Sequence, residues 1–217
     1  MHKRAWRRAQ RALHPLPVAP FLEKVNRVRL EEIHRSYCDS GDPYAKYSDW
    51  EGWLQLNVRR AQDCGLHRSS GKRVLDLGCG GGYFLFVAQQ LGHSCLGLDV
   101  DTCGLFNELI DLLAVRRKVW NIRAFEPLPE LGEQFDLITA FAVNFNVNEN
   151  GLEWGPKEWD FFLDDLGRFL QPRGKMLFNL NRDKNGLYYT PELAAFFRQR
   201  HASVERENVM FRSATMT

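Results

Sequence analysis

The chain has 217 residues, 44% hydrophobic and 26% charged, with a formal net charge of +2. That length suits one α/β domain with its own core and is short for two domains with linkers. No apolar run approaches the roughly 20 residues of a membrane-spanning helix, and no signal-peptide core follows Met1, so we expect a cytoplasmic protein. The five cysteines form no Cys-x-x-Cys pair and no cluster with histidine, which predicts free thiols and no metal site.

Positive charge is concentrated at the N-terminus. Residues 1–35 contain nine Lys or Arg against three Asp or Glu, whereas the rest of the chain contains 20 against 24. MHKRAWRRAQRA at residues 1–12 has helical spacing of its apolar residues, typical of a basic amphipathic helix that contacts anionic lipid or nucleic acid. The alternative is a solvated, partly disordered terminal helix. Three prolines (Pro15, Pro17, Pro20) then predict a linker that ends a tail at residues 1–20.

A helical segment is predicted for residues 21–70. FLEKVNRVRLEEIH at 21–34 has a helical pattern, with an apolar face made by Phe21, Val25, Val28 and Ile33. A loop rich in Ser, Gly, Asp and Pro follows, and a second helix is predicted from Trp50 to Gly65, where glycine ends it.

From residue 71 to 217 the pattern alternates between strands and helices. The predicted strands are RVLDLG (73–78), SCLGLDV (94–100), KVWNIRAF (118–125), FDLITAFAV (135–143) and KMLFNLN (175–181), the last after a QPRG turn. The predicted helices are 84–92, 103–115 with Thr102 as its cap, 156–170 beginning at Pro156, and 190–200. Residues 202–216 predict a short antiparallel strand pair. This order predicts a Rossmann-like, doubly wound, mostly parallel sheet with helices on both faces.

The stretch VLDLGCGGGYF, at 74–84, follows the first of these strands. Ligands of such sheets bind at the carboxyl ends of the strands. A phosphate-binding P-loop would end in Gly-Lys-Ser/Thr, but this stretch ends in Gly82-Tyr83-Phe84. A dinucleotide fingerprint would need a third glycine where Tyr83 stands. The spacing is instead Asp76-x-Gly78-x-Gly80-x-Gly82.

These residues resemble the first motif of the class I S-adenosylmethionine-dependent methyltransferases. The resemblance extends over residues 72 to about 181, half of the chain. Asp99 ends the next strand, FDLITAF (135–141) is similar to the fourth strand of that family, and LQPRGKMLFNLN (170–181) is similar to its Pro-x-Gly turn and fifth strand.

The resemblance implies S-adenosylmethionine as cofactor. Asp76 would anchor the methionine ammonium and Asp99 would accept the ribose hydroxyls, the alternatives being a turn-capping carboxylate and a helix N-terminal charge. Many members have an adenine-binding aspartate where Phe125 stands, so Phe125 would stack on adenine or belong to the core. The implied cofactor-binding residues are Asp76, Gly78, Cys79, Gly80, Gly82, Tyr83, Phe84, Asp99, Val100, Phe125, Ala140 and Phe141.

The acceptor would be bound by the N-terminal helices and by the long loop 144–157. The candidate acceptor-binding residues are Tyr44, Tyr47, Asn146, Glu149 and Trp154. Asn146 stands near a histidine position of many small-molecule members, and the asparagines at 144, 146, 148 and 150 suit sugar hydroxyls. No catalytic base is identified: Glu149 is the nearest carboxylate, with a solvated loop charge as the alternative. Trp50 and Trp53 are further aromatic residues of the N-terminal helices, with helix packing under the sheet as the alternative to contact with the acceptor.

The leading hypothesis is a methyltransferase that acts on a small or glycan-like acceptor, at oxygen. One alternative is a nucleic-acid methyltransferase guided by the basic N-terminus, which the near-neutral total charge disfavours. Others are a non-catalytic cofactor-binding module and, more distantly, a nicotinamide oxidoreductase. The oligomeric state is not indicated by the sequence.

Overall fold

The computed structural model describes residues 15–147 and 151–212. The predicted basic helix at residues 1–12 and the candidate Glu149 lie outside them. The helices are α1 (Ala19–Leu22), α2 (Arg27–Tyr37), α3 (Trp50–Asp63), α4 (Tyr83–Gln90), α5 (Gly104–Leu112), α6 (Pro156–Gly167) and α7 (Pro191–Gln199), with 3₁₀ turns at Ala45–Ser48 and Leu66–Arg68. The strands are β1 (Arg73–Leu77), β2 (Ser94–Asp99), β3 (Arg117–Val119), β4 (Phe135–Val143), β5 (Leu170–Leu180), β6 (Ser203–Glu205) and β7 (Asn208–Arg212).

The described residues form two compact units. The first is drawn from residues 15–71, Gly80–Cys95 and Asp101–Arg117, and the second from Lys72–Cys79, Leu96–Val100 and the described residues from Lys118 onward. The second unit begins at Lys72, and the predicted domain limits stay predictions. Helices α4 and α5, however, group with the N-terminal helices, so the units are not consecutive pieces of chain.

In the first unit, α3 packs against α4, and α2 packs against α5. The second of these contacts includes polar bonds to one carboxylate. Glu108 of α5 accepts hydrogen bonds from Arg29 Nη2 at 2.8 Å and from the Tyr37 hydroxyl at 2.9 Å, both on α2. The two helices are therefore joined by an ion pair as well as by apolar packing.

The seven strands form one sheet in the order β3-β2-β1-β4-β5-β7-β6. β1, β4 and β5 pair in parallel, whereas β7 pairs antiparallel with both β5 and β6. This arrangement confirms the predicted mostly parallel sheet with an antiparallel pair at its C-terminal end. In the second unit, Trp159 of α6 and Phe197 of α7 pack edge-on against Phe178 and Phe211 of the sheet. These helices therefore cover part of the sheet core.

The predicted QPRG turn is a bulge within β5. Phe135 pairs with Leu170, but Leu137 pairs with Lys175, so β5 advances five residues while β4 advances two. The intervening residues leave the ladder, which then continues in register from Leu137 to Phe141 and shifts once more before Val143. The strand is therefore longer than predicted, and α6 ends earlier, at Gly167.

The prediction of one continuous helix at 21–34 is wrong, and so is the apolar face predicted for it. It is divided between α1 and α2, because the Asn26 side chain accepts a hydrogen bond from Arg29 N at 3.1 Å and caps a new helix. Val28 is 68% exposed, whereas Leu30 and Ile33 are buried. The apolar face of α2 therefore passes through Leu30 and Ile33 and excludes Val28.

Two further predictions are corrected between residues 102 and 125. Thr102 does not cap α5: Cys103 occupies the N-cap position and no side chain bonds there. The third strand stops at Val119 instead of reaching Phe125. Phe125 has φ +60°, a left-handed conformation that a strand excludes, and prolines follow at 127 and 129.

Candidate cofactor and acceptor site

Asp76 is a buried carboxylate in the middle of the sheet. It is 3% exposed and lies in register with Thr139 of the neighbouring parallel strand. The Thr139 hydroxyl donates a hydrogen bond of 2.6 Å to Asp76 Oδ1. The carboxylate at the end of β1 is therefore oriented from β4, as expected of a group that must present a fixed charge at the strand ends.

Gly78 continues from β1 as an exposed residue with φ +67°. Its N–H donates to Leu98 O of β2 at 2.7 Å, which holds the start of the loop against the neighbouring strand. A Cβ atom at Gly78 would lie 3.9 Å from Phe145 Cδ1. The loop backbone is thus open at Gly78 and bordered by the ring of Phe145, a residue that was not among the sequence candidates.

Asp99 ends β2, as predicted, and is half-buried. Its Oδ1 accepts a hydrogen bond from Val100 N at 2.8 Å, and its carbonyl oxygen accepts one from Trp120 N at 2.9 Å. A carboxylate has acceptor sites beyond the one used by Val100. The contact of Asp99 with two ribose hydroxyls stays a prediction.

The first unit contains the rest of the glycine loop and an aromatic cluster beside it. A Cβ at Gly80, where φ is +53°, would lie 3.6 Å from the Phe106 ring. The rings of Tyr44 and Tyr47 contact Phe106 edge-on at centroid distances of 5.4 and 5.2 Å. Two of the predicted acceptor-binding tyrosines are therefore brought next to Gly80, and Phe106 is a member of the cluster that the sequence did not indicate.

Side-chain bonds hold the 3₁₀ turn that carries these tyrosines. Trp53 Nε1 donates to Lys46 O at 2.7 Å, and the Tyr83 hydroxyl donates to Tyr47 O at 3.2 Å. Tyr83 is 6% exposed, and burial raises the pKa of its hydroxyl, which therefore stays a donor. Trp53 thus holds this turn through its indole N–H.

Several predicted cofactor residues are buried. Phe84, Cys79 and Ala140 are 3%, 8% and 1% exposed, as is usual for core positions, and Phe141 is half-buried at the end of β4. Contact between these buried residues and a ligand would run through the backbone, as it does in glycine-rich loops.

Phe125 is 54% exposed, so the alternative of a core residue is wrong. Its ring meets that of Phe161 edge-on at 5.9 Å. An exposed aromatic residue held at positive φ costs energy, which favours a functional use over a packing one. The adenine contact stays a prediction.

The loop after β4 is a short hairpin. Val147 and Glu153 form an antiparallel bridge, and Trp154 N donates to Asn146 O at 2.7 Å. Asn146 is half-buried on this hairpin. The structure places Trp154 in the core instead of on the acceptor surface: it is 2% exposed and packs against Phe145, among other rings.

Glu153 is a hairpin carboxylate that the sequence did not single out. Burial and the nearby Asp183 raise the pKa of Glu153 above its usual range. A carboxylate with a raised pKa is a better proton acceptor near neutral pH than an ordinary one. Only the folded hairpin brings it opposite Val147, so no sequence signal would have found it.

A family model described as a methyltransferase domain matches residues 51–185, more than half of the chain. The chain belongs to this methyltransferase domain family. The resemblance to class I S-adenosylmethionine-dependent methyltransferases is thereby confirmed, and S-adenosylmethionine is the cofactor of that class. The residues present fit it: an exposed glycine backbone at Gly78, and the strand-end carboxylates Asp76 and Asp99.

Curated proteins match this methyltransferase domain over part of their length. A tRNA U34 carboxymethyltransferase from Alcanivorax borkumensis is 36% identical over 105 residues, which are 46% of this chain and 30% of that protein. A ubiquinone biosynthesis O-methyltransferase from Chelativorans sp. is 31% identical over 109 residues, 49% of this chain and 39% of that protein. The chain thus spans about a third of the length of these relatives.

Among solved structures, an O-methyltransferase family protein from Burkholderia thailandensis superposes with a TM-score of 0.51 at 14% identity. The match covers 85% of this chain and 66% of that one. At this identity the likeness shows the shared fold. Within residues 15–147 and 151–212, no helix has the length and apolarity to cross a membrane, and no group of three potential metal ligands occurs.

Proposed function

We propose that the protein transfers the methyl group of S-adenosylmethionine to an oxygen atom of a small or glycan-like acceptor. The observation that carries this proposal is the set of groups at the ends of β1 and β2. These are Asp76, Gly78 and Asp99, in a chain that belongs to the methyltransferase domain family. Supporting it, 31% of aligned residues are shared with an enzyme named as a ubiquinone biosynthesis O-methyltransferase.

The bound cofactor supplies a methyl group on a positively charged sulfur, already activated for displacement. In the proposed transfer the S–CH₃ bond would break as the O–CH₃ bond forms, S-adenosylhomocysteine would leave, and the acceptor hydroxyl would give its proton to a base. The protein's main contribution is to position the acceptor oxygen in line with the methyl group. Within the first unit, the rings of Tyr44 and Tyr47 lie beside Phe106 and Gly80.

The acceptor's proton needs a base unless the hydroxyl is acidic. We assign this role to Glu153, because it is an exposed carboxylate that pairs with Val147, next to Asn146, after β4. Glu153→Gln should lower kcat at neutral pH while leaving cofactor affinity unchanged. An unchanged kcat would show that Glu153 is not the base, and solvent or Glu149 would then accept the proton.

Calorimetric titration of the protein with S-adenosylmethionine tests the cofactor site. Asp99→Ala should weaken binding by about 1.5–3 kcal/mol, the range of hydrogen bonds to charged groups. Asp101→Ala is the matched control, because Asp101 is an exposed carboxylate two residues away. Gly80→Asp should abolish binding. Equal affinity of the wild type and Asp99→Ala would contradict the site.

A second candidate is transfer to a tRNA nucleoside. It is favoured by the 36% identity with a protein named as a tRNA U34 carboxymethyltransferase and by the basic residues 1–12. Salt-dependent binding of tRNA that disappears on deletion of residues 1–12 would support it. Labelled methyl transfer to small hydroxyl compounds without tRNA binding would exclude it in favour of the first proposal.

A further inference from the structure

Two asparagines at the carboxyl ends of β4 and β5 form a side-chain pair. Asn181 Nδ2 donates to Asn144 Oδ1 at 2.6 Å, and it also approaches the backbone carbonyl oxygens of Ala142 and Val143 at 3.1 and 3.3 Å. Both asparagines are exposed. The pair therefore lies at the edge of the sheet where ligands of this fold bind.

The backbone fixes which way both amides point. Carbonyl oxygens only accept hydrogen bonds, so the group of Asn181 that faces Ala142 and Val143 must be its NH₂. The group of Asn144 that faces this NH₂ must then be its oxygen. Asn181 Oδ1 and Asn144 Nδ2 are left over, and neither has a hydrogen-bond partner among residues 15–147 and 151–212. The pair thus offers one fixed acceptor and one fixed donor.

Asn144 is also next in sequence to a residue that borders the glycine loop. Phe145 follows Asn144 directly and borders Gly78. Between the strand and the pair, Ala142 has φ +56°, and the register between β4 and β5 shifts between Phe141 and Val143. This irregularity turns the chain at the strand end, and Asn181 bonds the turned residues in place.

We infer that the Asn144–Asn181 pair recognises neutral hydroxyl groups of the methyl acceptor, one donating to Asn181 Oδ1 and one accepting from Asn144 Nδ2. A hydroxyl suits both positions because it donates and accepts, whereas an ammonium group suits only Asn181 and a carboxylate only Asn144. The inference rests on the proposed function and narrows its acceptor to a polyhydroxy compound such as a pyranoside.

Asn144→Asp separates recognition from loop positioning. The aspartate keeps the oxygen that accepts from Asn181 but replaces the outward donor with a second acceptor oxygen. Asn208→Asp is the matched control, because Asn208 Oδ1 accepts from Asn179 Nδ2 at 3.1 Å in a second amide pair on the other side of β5. Both variants add the same charge to the same sheet and retain an equivalent bond.

The experiment measures transfer of labelled methyl from S-adenosylmethionine to methyl glycosides of common hexoses and 6-deoxyhexoses, with cofactor affinity measured in parallel. Asn144→Asp should raise KM for the glycosides by about tenfold or more. The variant loses the hydrogen bond from Nδ2 to the acceptor hydroxyl and places an acceptor oxygen there instead. Cofactor Kd and Tm should stay at wild-type values, and Asn208→Asp should behave as wild type. For a deoxy glycoside that lacks the recognised hydroxyl, the difference between wild type and Asn144→Asp should vanish.

A purely positioning role would give another pattern. Asn181→Ala would then raise hydrogen exchange of the amides at 143–147 and lower kcat, while Asn144→Asp would leave KM unchanged, and this result would overturn the inference. Cofactor binding by the wild type with no transfer to any glycoside would also overturn it, yet would leave methyl transfer to other acceptors standing. No cofactor binding at all would instead refute the proposed function.

Discussion

The hydrogen bond between Thr139 and Asp76 makes a quantitative prediction about stability. Thr139→Val replaces the hydroxyl with a methyl group of similar volume, at a position that is 0% exposed. The lost donor lies 2.6 Å from a carboxylate that is itself 3% exposed, so water cannot readily replace it. The variant therefore removes a buried hydrogen bond to a charged group while changing little else.

Hydrogen bonds to charged groups contribute about 1.5–3 kcal/mol, a large part of a stability that is typically about 5–15 kcal/mol. For a chain of this size, each kcal/mol corresponds to about 2–4 °C in Tm. Thr139→Val should therefore lower Tm by about 3–12 °C, measured by calorimetry with urea unfolding as a check on the free energy. The cofactor-binding step should weaken as well, because Asp76 loses one of the groups that orient it.

Thr102→Val is the control, since Thr102 is exposed and caps no helix. It should change Tm by no more than a degree or two. Equal Tm values for the two variants would show that the Thr139 hydroxyl contributes nothing to Asp76, and the account of a carboxylate oriented from β4 would be wrong.

Three other predictions concern the loop and the hairpin. Gly82→Ala should destabilise more than Gly132→Ala in urea unfolding: both have positive φ, but a Cβ would meet a side-chain atom at 2.8 Å at Gly82 and nothing within 4 Å at Gly132. Tyr83→Phe should cost about 0.5–1.5 kcal/mol by losing its bond to Tyr47 O, and an unchanged unfolding midpoint would contradict that bond. Glu153→Gln should stabilise the fold at pH 7, because a raised pKa means that the folded state disfavours the charged form. That gain should disappear as the pH falls below the unfolded value of about 4.5, and a gain that persists there would refute the assignment.

Much of the fold is predictable because its signals are local. FDLITAFAV forms β4 over its full length, and Pro156 begins α6, because a β-rich apolar run and a first-turn proline act without distant partners. The prediction of the third strand was wrong, and the reason is also local. The apolar pattern of KVWNIRAF resembles a strand, yet the left-handed Phe125 and the prolines after it end the strand early.

The candidate site is only partly predictable, because much of it depends on register. Asp76 and Asp99 stand in a recognisable motif, but the bond from Thr139 to Asp76 exists only because β1 and β4 pair at that residue. Asn181 could not be identified from the sequence for the same reason. It follows β5 and reaches Asn144 only because two register shifts between β4 and β5 set the alignment. A sequence pattern shows which residues are present but not which residues of neighbouring strands lie opposite each other.

The glycines of the loop are required for two different physical reasons, an open backbone and close packing of a helix. At Gly78 and Gly80 a Cβ would meet only aromatic ring atoms, at 3.9 and 3.6 Å, so glycine there keeps the backbone open. At Gly81 and Gly82 a Cβ would approach Leu109 and Ile110 to 2.7 and 2.8 Å, so glycine there lets α5 pack against the loop. The first pair should therefore govern ligand affinity and the second pair folding, although the sequence motif does not distinguish them. A variant of Gly82 that loses the cofactor would say little about binding, whereas a folded variant of Gly78 or Gly80 that loses it would locate the site.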